Sequence, residues 1–115
     1  MVEGAMDERQ RRIGENEVLY RAVNERIEGL NEAFGRVTDS MVVVCECGNG
    51  ACAEQIELDI PTYERIRSDP TQFVVKPGHE EPDVEAVIER TATYHVVRKR
   101  PGGPAELAAS EDPRS

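Results

Sequence analysis

The sequence predicts an α+β protein in which a long N-terminal amphipathic helix precedes a small, mainly antiparallel four-stranded sheet with two short helices. Three observations predict it: apolar side chains at helical spacing in the first 35 residues, short β-rich runs after them, and three cysteines in one Gly-rich turn. The 115 residues suit one domain with appendages. We expect a helical segment at residues 1–35, a metal-binding α+β domain at 36–100 and a disordered tail at 101–115.

The N-terminal helix is predicted over about residues 7–34 because seven side chains follow a 3,4,3,4 spacing that places them on one face. This stripe consists of Ile13, Asn16, Tyr20, Val23, Ile27, Leu30 and Phe34. Gly35 is a typical helix stop. Charged side chains between the stripe positions, including Glu17, Arg21 and Glu28, are expected to face solvent.

The stripe allows two interpretations. The helix is expected to pack on its own domain, because more sustained heptads are usual in a coiled coil. However, a polar residue such as Asn16 within an apolar seam can set register or partner number in a coiled coil. A homodimer through the N-terminal helix is therefore the alternative.

Short β segments follow the helix. Residues 40–46 are rich in β-branched Val and residues 55–60 alternate polar and apolar side chains, so the two are predicted to pair as an antiparallel hairpin. Pro61 suits the first turn of a short helix that runs to about Ser68. Residues 72–76 are predicted as the third strand.

The last part of the chain is predicted to contain one more helix and one more strand. Pro82 is expected to open a short helix through about Arg90, because Val84, Val87 and Ile88 share one helical face. Tyr94 to Lys99 is predicted as the fourth strand. From Pro101 onward the composition shows little periodicity, which is typical of a disordered tail.

Charge and hydropathy exclude several classes of function. Acidic residues outnumber basic ones 23 to 14, and the net charge of −9 opposes attraction to nucleic-acid phosphates. No apolar run is long enough for the core of a secretory signal or for a membrane span. We therefore expect an acidic cytoplasmic protein that binds neither nucleic acid nor membranes.

The specific chemical feature is a cluster of thiols. Cys45, Cys47 and Cys52 lie within eight residues around a Gly-containing turn, a density that favours a metal site over a secreted disulfide framework. A closed tetrahedral zinc site needs a fourth ligand, and His79, in a Pro-Gly-His turn, is the better candidate of the two histidines. His95 is interpreted as a half-buried strand residue.

Alternatives to a zinc ion remain. Three cysteines and a histidine also suit an iron–sulfur cluster, and metal-free thiols could act as redox groups or pack as small apolar side chains. The ligand count resembles that of the CDGSH-type iron–sulfur proteins in number only, because Ala53 and Glu54 follow Cys52 here. Glu46, between two cysteines, is expected to be a solvated carboxylate.

A longer pattern resembles one found in a family of small actinobacterial proteins. The shared residues are Cys45-Glu46-Cys47-Gly48, Cys52, Tyr63-Glu64, Asp69-Pro70 and Pro77-Gly78-His79, with Asn24-Glu25-Arg26-Ile27 in the preceding helix. The resemblance covers roughly residues 16–99. The resemblance implies that these residues form a folded domain, and it implies no particular activity.

The functional hypothesis is a structural zinc site in a small module that interacts with or regulates a protein partner. A zinc enzyme would need an open coordination position, which arises only if His79 is not a ligand. In that case Glu80 or Glu81 would be the candidate base. A thiol-based or iron–sulfur redox protein is the second hypothesis.

Overall fold

The computed structural model describes residues 7–33 and 39–114, so Phe34 and the predicted helix stop at Gly35 lie outside the described residues. Within these ranges the elements are α1 (Glu8–Ala33), β1 (Ser40–Val44), β2 (Gln55–Asp59), α2 (Ile60–Arg67), β3 (Gln72–Val75), β4 (Glu85–Arg90), β5 (His95–Lys99) and α3 (Gly103–Ser110). Among these helices, none is long and apolar enough to cross a bilayer.

The strands form two antiparallel sheets. β1 and β2 pair from Ser40↔Asp59 to Val44↔Gln55, as the hairpin prediction requires. The second sheet has the order β3-β5-β4, with an irregularity in β4 between Val87 and Glu89. The α+β class is confirmed, but the described residues form five strands in two sheets and not four strands in one.

The two sheets remain separate because the chain turns into the thiol loop directly after β1. Among the described residues, one backbone hydrogen bond follows this strand toward β3, from the N–H of Glu46 to the carbonyl of Val74 (2.8 Å). The shared core is apolar and lies between the sheets and α2, with Val43, Ile56, Tyr63, Phe73 and Val97 all buried. Burial of these side chains supplies the main driving force for folding.

Residues 85–90 form strand β4, so the helix predicted to run from Pro82 to Arg90 is wrong. Val84 is buried and Ile88 is exposed, so they do not share a face. β4 pairs with β5 from Glu85↔Lys99 onward. This segment contains β-branched residues and lies beside the edge of β5. Pairing with that edge stabilises it more than an isolated helical turn would.

The disordered tail is also wrong over residues 101–114, because Gly103–Ser110 forms α3. α3 packs on α1, where a Cβ added to Gly14 would lie 2.6 Å from the Cδ2 of Leu107. Ala108 is buried, and its carbonyl accepts a hydrogen bond from Arg21 (2.7 Å). The close packing of α3 on α1 therefore depends on small residues such as Gly14 and Ala108, which give no clear periodic pattern in the sequence.

Helix α1 has the predicted extent but a different orientation. Among residues 8–30 of this helix, the buried residues are Ile13, Gly14, Glu17, Arg21, Asn24 and Glu28. From position 17 onward, each buried residue lies one position after a residue of the predicted stripe, which corresponds to a rotation of about 100°. The helix thus packs on its own domain through a largely polar face, while Leu19, Val23 and Leu30 are exposed.

Polar partners across the interface explain the rotation. Arg21 donates to the carbonyl oxygens of Pro70 (2.6 Å) and Ala108 (2.7 Å), and its guanidinium lies 4.8 Å from the ring centroid of Phe73. Glu17 forms a buried ion pair with Lys99. The expectation that Glu17, Arg21 and Glu28 face solvent is therefore wrong, because charged groups with buried partners can line an interface.

Candidate metal centre

Three thiols and one imidazole meet at the loop end of the β1–β2 hairpin. The ligand atoms of Cys45, Cys47, Cys52 and His79 all lie within 4.8 Å of one another. The Nδ1 of His79 is 3.6 Å from the Sγ of Cys45 and 3.7 Å from the Sγ of Cys52. A tetrahedral zinc ion, with Zn–S of about 2.3 Å and Zn–N of about 2.0 Å, holds sulfur and nitrogen about 3.5 Å apart. The three cysteines are free thiols, so the cluster could hold a metal ion.

The hairpin and the turn after β3 bring these groups together. The hairpin continues past β1 through Cys45, whose N–H donates to the carbonyl of Glu54 (2.8 Å). After β3, the N–H of His79 donates to the carbonyl of Lys76 (3.0 Å) and closes a turn. Gly78 within this turn has φ of +88°, a region that favours glycine. The glycine permits the reversal that brings His79 over the hairpin.

Glu54 orients the imidazole of His79. The Nε2 of His79 lies 3.0 Å from the Oε2 of Glu54. When the neutral imidazole donates its Nε2–H to this carboxylate, the lone pair of Nδ1 faces the sulfur atoms. A carboxylate that binds the outer nitrogen of a histidine is typical of metal ligands, since it selects the tautomer and raises the basicity of the ring.

Backbone N–H groups favour the anionic form of the sulfur atoms. The N–H of Lys76 donates to the Sγ of Cys45 (3.2 Å), and the backbone N–H groups of Asn49 and Glu54 act to lower the pKa of Cys47 and Cys52 respectively. Such donors offset negative charge on thiolates, which a site with three of them would otherwise concentrate. The backbone is thus arranged for anionic sulfur.

The thiols do not share their protons equally. Cys45 donates a hydrogen bond to Cys47, and this bond is the main reason that the pKa of Cys47 is lowered from 9.0 to about 5. The same bond, together with burial, raises the pKa of Cys45. A cation bound at the cluster would displace the protons of the thiols, since the thiolate is the form that binds a metal.

Side chains of α1 hold the loop between the cysteines. The Nδ2 of Asn16 donates to the carbonyl of Gly48 (2.9 Å), and the hydroxyl of Tyr20 donates to the carbonyl of Gly50 (2.9 Å). Gly48 lies so close to α1 that an added Cβ would be 2.4 Å from the Cγ2 of Ile13. Asn16 is thus engaged within its own chain and braces the thiol loop.

Glu46 is buried, so its interpretation as a solvated carboxylate is wrong. Its oxygens accept hydrogen bonds from the Nδ2 of Asn24 (2.7 Å) and the N–H of Val74 (3.0 Å). Alternation along the strand does turn this side chain away from the two cysteines, but the face that it enters is covered by α1. Burial raises the pKa of Glu46 from 4.5 to about 7.

The other candidate residues are occupied elsewhere. Glu80 accepts from the N–H of Gly78 (2.9 Å) and lies 3.4 Å from the Nδ1 of His95. Glu81 accepts from Arg9 at 3.0 Å. Both glutamates line a shallow cavity of about 220 Å³ beside Cys47. His95 therefore pairs with a carboxylate and does not enter the cluster.

The sequence analysis did not identify the residues that surround the four candidate ligands. A signal for three of them exists, because Asn16, Tyr20 and Asn24 are spaced four apart and lie near one another on a helix. Glu54 gives no comparable signal, since an exposed carboxylate in a strand-flanking loop is common. Its role depends on the position of His79, which is distant in sequence.

Comparison with protein-family models, with curated proteins and with solved structures finds no match to this chain. The arrangement of its own residues therefore carries the functional assignment.

Proposed function

We propose that Cys45, Cys47, Cys52 and His79 bind one structural Zn²⁺ ion, and that the domain stabilised in this way acts as an interaction or regulatory module. The observation that carries this proposal is the convergence of four ligand atoms within 4.8 Å, with sulfur–nitrogen separations of 3.6 and 3.7 Å. These separations match the edge of a tetrahedron around a single zinc ion.

The compactness of the cluster favours one ion over an iron–sulfur cluster. In a cluster, ligands of different iron atoms are held apart by the bridging sulfides. Here all four ligand atoms fit around one point. A single ion with three sulfur ligands and one nitrogen ligand suits the preference of zinc for tetrahedral thiolate and imidazole sites.

The ligand number favours a structural role over catalysis. A catalytic zinc site has three protein ligands and keeps one position for water or substrate, whereas this chain offers four. The two glutamates considered as bases are engaged with Gly78, His95 and Arg9. A closed site instead links the hairpin, the turn after β3 and, through Asn16 and Tyr20, helix α1.

The first test is elemental analysis and a visible spectrum of protein purified without added metal. We expect about one zinc per chain and no colour. His79→Ala should lower the zinc affinity in competition with a chromophoric chelator, while His95→Ala is the matched control and should retain it. Iron together with visible absorbance would show that the site holds an iron centre and not zinc. A reduced preparation without any metal would contradict the proposed site altogether.

A second test addresses the carboxylate behind His79. Glu54→Gln should lower zinc affinity by about 10- to 100-fold, the usual effect of losing such a group. Glu57→Gln, an exposed residue of the same hairpin, is the control and should leave the affinity unchanged. Equal affinities in the two variants would show that Glu54 does not orient a metal ligand.

A further inference from the structure

Helix α1 exposes an apolar stripe on the side opposite its polar interface. Leu19 is 59% exposed, Leu30 51% and Val23 39%, and Ala22 between them is also exposed. Val23 and Leu30 belong to the apolar stripe that the sequence predicts to be buried. In the part of the chain that the structure describes, these side chains remain exposed, and an exposed apolar surface of this kind marks an interaction site.

The stripe continues into a groove between α1 and the C-terminal segment. The groove has a volume of about 560 Å³, and its apolar walls are Val18, Leu19 and Ala22 from α1 with Leu107 and Pro113 from the other side. The docking of α3 therefore widens the apolar surface beyond a single helix face.

The charges along the stripe are self-complementary in one orientation. Glu15, Leu19, Ala22 and Arg26 follow a 4,3,4 spacing on the exposed side of α1. When two copies run antiparallel about a point between residues 20 and 21, Glu15 of each copy lies opposite Arg26 of the other, and Leu19 lies opposite Ala22. A parallel pair would instead place Glu15 opposite Glu15 and Arg26 opposite Arg26, which is repulsive.

We propose that this face is the interface of a homodimer, in which α1 of a second copy packs antiparallel along the stripe. The arrangement is isologous, since each copy contributes the same surface and the same two charged residues. The small side chain of Ala22 allows Leu19 of the other copy to pack closely. The groove beside Leu107 extends the contact toward the C-terminal segment.

The expected affinity is moderate. From Arg11 to Leu30 the contact between the two helices would be about 29 Å long. A contact one helix wide is smaller than a standard interface, which buries about 800 Å² per partner. We therefore expect dissociation constants in the range of micromolar or weaker. The net charge of −9 on each copy also opposes association.

The test is sedimentation equilibrium of the metal-loaded protein from about 10 μM to about 1 mM. The wild type should show a concentration-dependent dimer, and Leu19→Glu should abolish it. Glu15→Arg and Arg26→Glu should each weaken self-association by roughly 10- to 30-fold, because two attractive pairs become repulsive. An equimolar mixture of the two charge variants should associate again, since each then supplies the charge that the other lacks.

Neither charged residue forms an ion pair among the described residues, so unchanged circular dichroism and metal content serve as controls for folding. A wild type that remains monomeric at about 1 mM would overturn the proposal. A dimer that Leu19→Glu leaves intact would place the interface elsewhere and also overturn it. Failure of the mixed charge variants to associate would rule out the antiparallel register.

Discussion

The amide of Asn24 satisfies the backbone groups of Val44 at the end of β1. Its Oδ1 accepts from the N–H of Val44 and its Nδ2 donates to the carbonyl of the same residue, both at 2.8 Å. The amide thus replaces a neighbouring strand for one residue. Since unpaired buried backbone groups are costly, this side chain stabilises the end of β1 next to Cys45.

Glu28 lies at the other end of the polar face, next to Glu64 and Arg114. Burial, followed by a hydrogen bond shared with Glu64, raises the pKa of Glu28 from 4.5 to about 7. The folded protein therefore binds this proton more tightly than the unfolded chain. The resulting stability is complete below about pH 4.5 and is lost as the pH rises through about 7.

Glu28→Gln should remove this pH dependence, because a neutral amide can donate to Glu64 and still accept from Arg114. Relative to the wild type, the free energy of unfolding of the variant should rise by about 1 kcal/mol between about pH 5 and about pH 8. Urea unfolding at both pH values measures it. Comparison with the wild type cancels the pH dependence of metal binding, which the two proteins share.

The exposed residue Glu15 provides the control. Glu15→Gln should show the same difference from the wild type at both pH values, and the measurement should be made at a low protein concentration, at which the proposed dimer dissociates. A flat response for Glu28→Gln would mean that Glu28 is ionised in the folded protein across this range.

At the scale of elements, the contact between the thiol loop and α1 is unusually close. A Cβ on Gly48 would lie 2.4 Å from the Cγ2 of Ile13 and 3.0 Å from its Cβ. Ile13 is itself buried. The absence of a side chain at Gly48 therefore sets the distance at which Asn16 and Tyr20 reach the loop carbonyls.

Gly48→Ala should destabilise the protein by about 1 to 3 kcal/mol, since the loop or Ile13 must move. It should also weaken metal binding, because the neighbouring Cys47 moves with the loop. Urea unfolding and chelator competition report the two effects. The physical cause is steric and can be tested with a second substitution.

Ile13→Ala should cost less stability in the Gly48→Ala background than in the wild type, because it removes Cγ1 and Cγ2 of Ile13, two of the atoms that an alanine at position 48 would contact. A double-mutant cycle then gives a favourable coupling energy of about 1 kcal/mol. Strict additivity of the two single substitutions would contradict a direct clash.

A buried group of three charges anchors α1 to the second sheet. Lys99 of β5 pairs with Glu17 of α1 and with Glu85 of β4, the latter at 2.9 Å. Burial raises the pKa of Glu17 well above its usual value, and Glu85 adds to this effect while Lys99 opposes it. Such groups contribute less to net stability than to a unique arrangement, so we infer that they specify the rotation of α1.

At the scale of the whole molecule, the C-terminal segment ties α1 to α2. The carbonyl of Ala108 accepts from Arg21, and Asp112 pairs with the buried guanidinium of Arg67 at 2.5 Å. Arg114 pairs with Glu28 (3.0 Å) and Glu64 (2.6 Å). These contacts join residues more than forty positions apart in the chain.

Deletion of residues 103–115 should lower the free energy of unfolding by about 2 to 4 kcal/mol, because it removes the Ala108 carbonyl from Arg21 and the Asp112 carboxylate from Arg67 in a region shielded from water. Urea unfolding of the metal-loaded protein measures the change. Replacement of the same residues by a Gly/Ser segment of equal length should cost a similar amount, which separates loss of contacts from loss of chain length. An unchanged stability would mean that this segment does not hold the fold together.

The sequence alone determined the features that depend on neighbouring residues. The extent of α1, the β1–β2 hairpin, α2 and the positions of β3 and β5 follow from local spacing and turn residues. The three cysteines lie within eight residues, so a turn is enough to bring them together. His79 was predicted as the fourth ligand because it lies in a Pro-Gly-His turn directly after a strand, where its side chain can reach the neighbouring hairpin turn.

Tertiary structure decided the features that depend on distant partners. The rotation of α1 depends on contacts of Glu17 and Arg21 with partners that lie 82 and 87 positions later in the chain. The hydrophobic periodicity of the helix contains no information about such distant partners. β4 forms because β5 offers an edge, and α3 forms where Gly14 leaves space for Leu107. Hydrophobic spacing predicts which face of a helix is apolar. The buried polar and charged groups of the rest of the chain decide which face is turned inward.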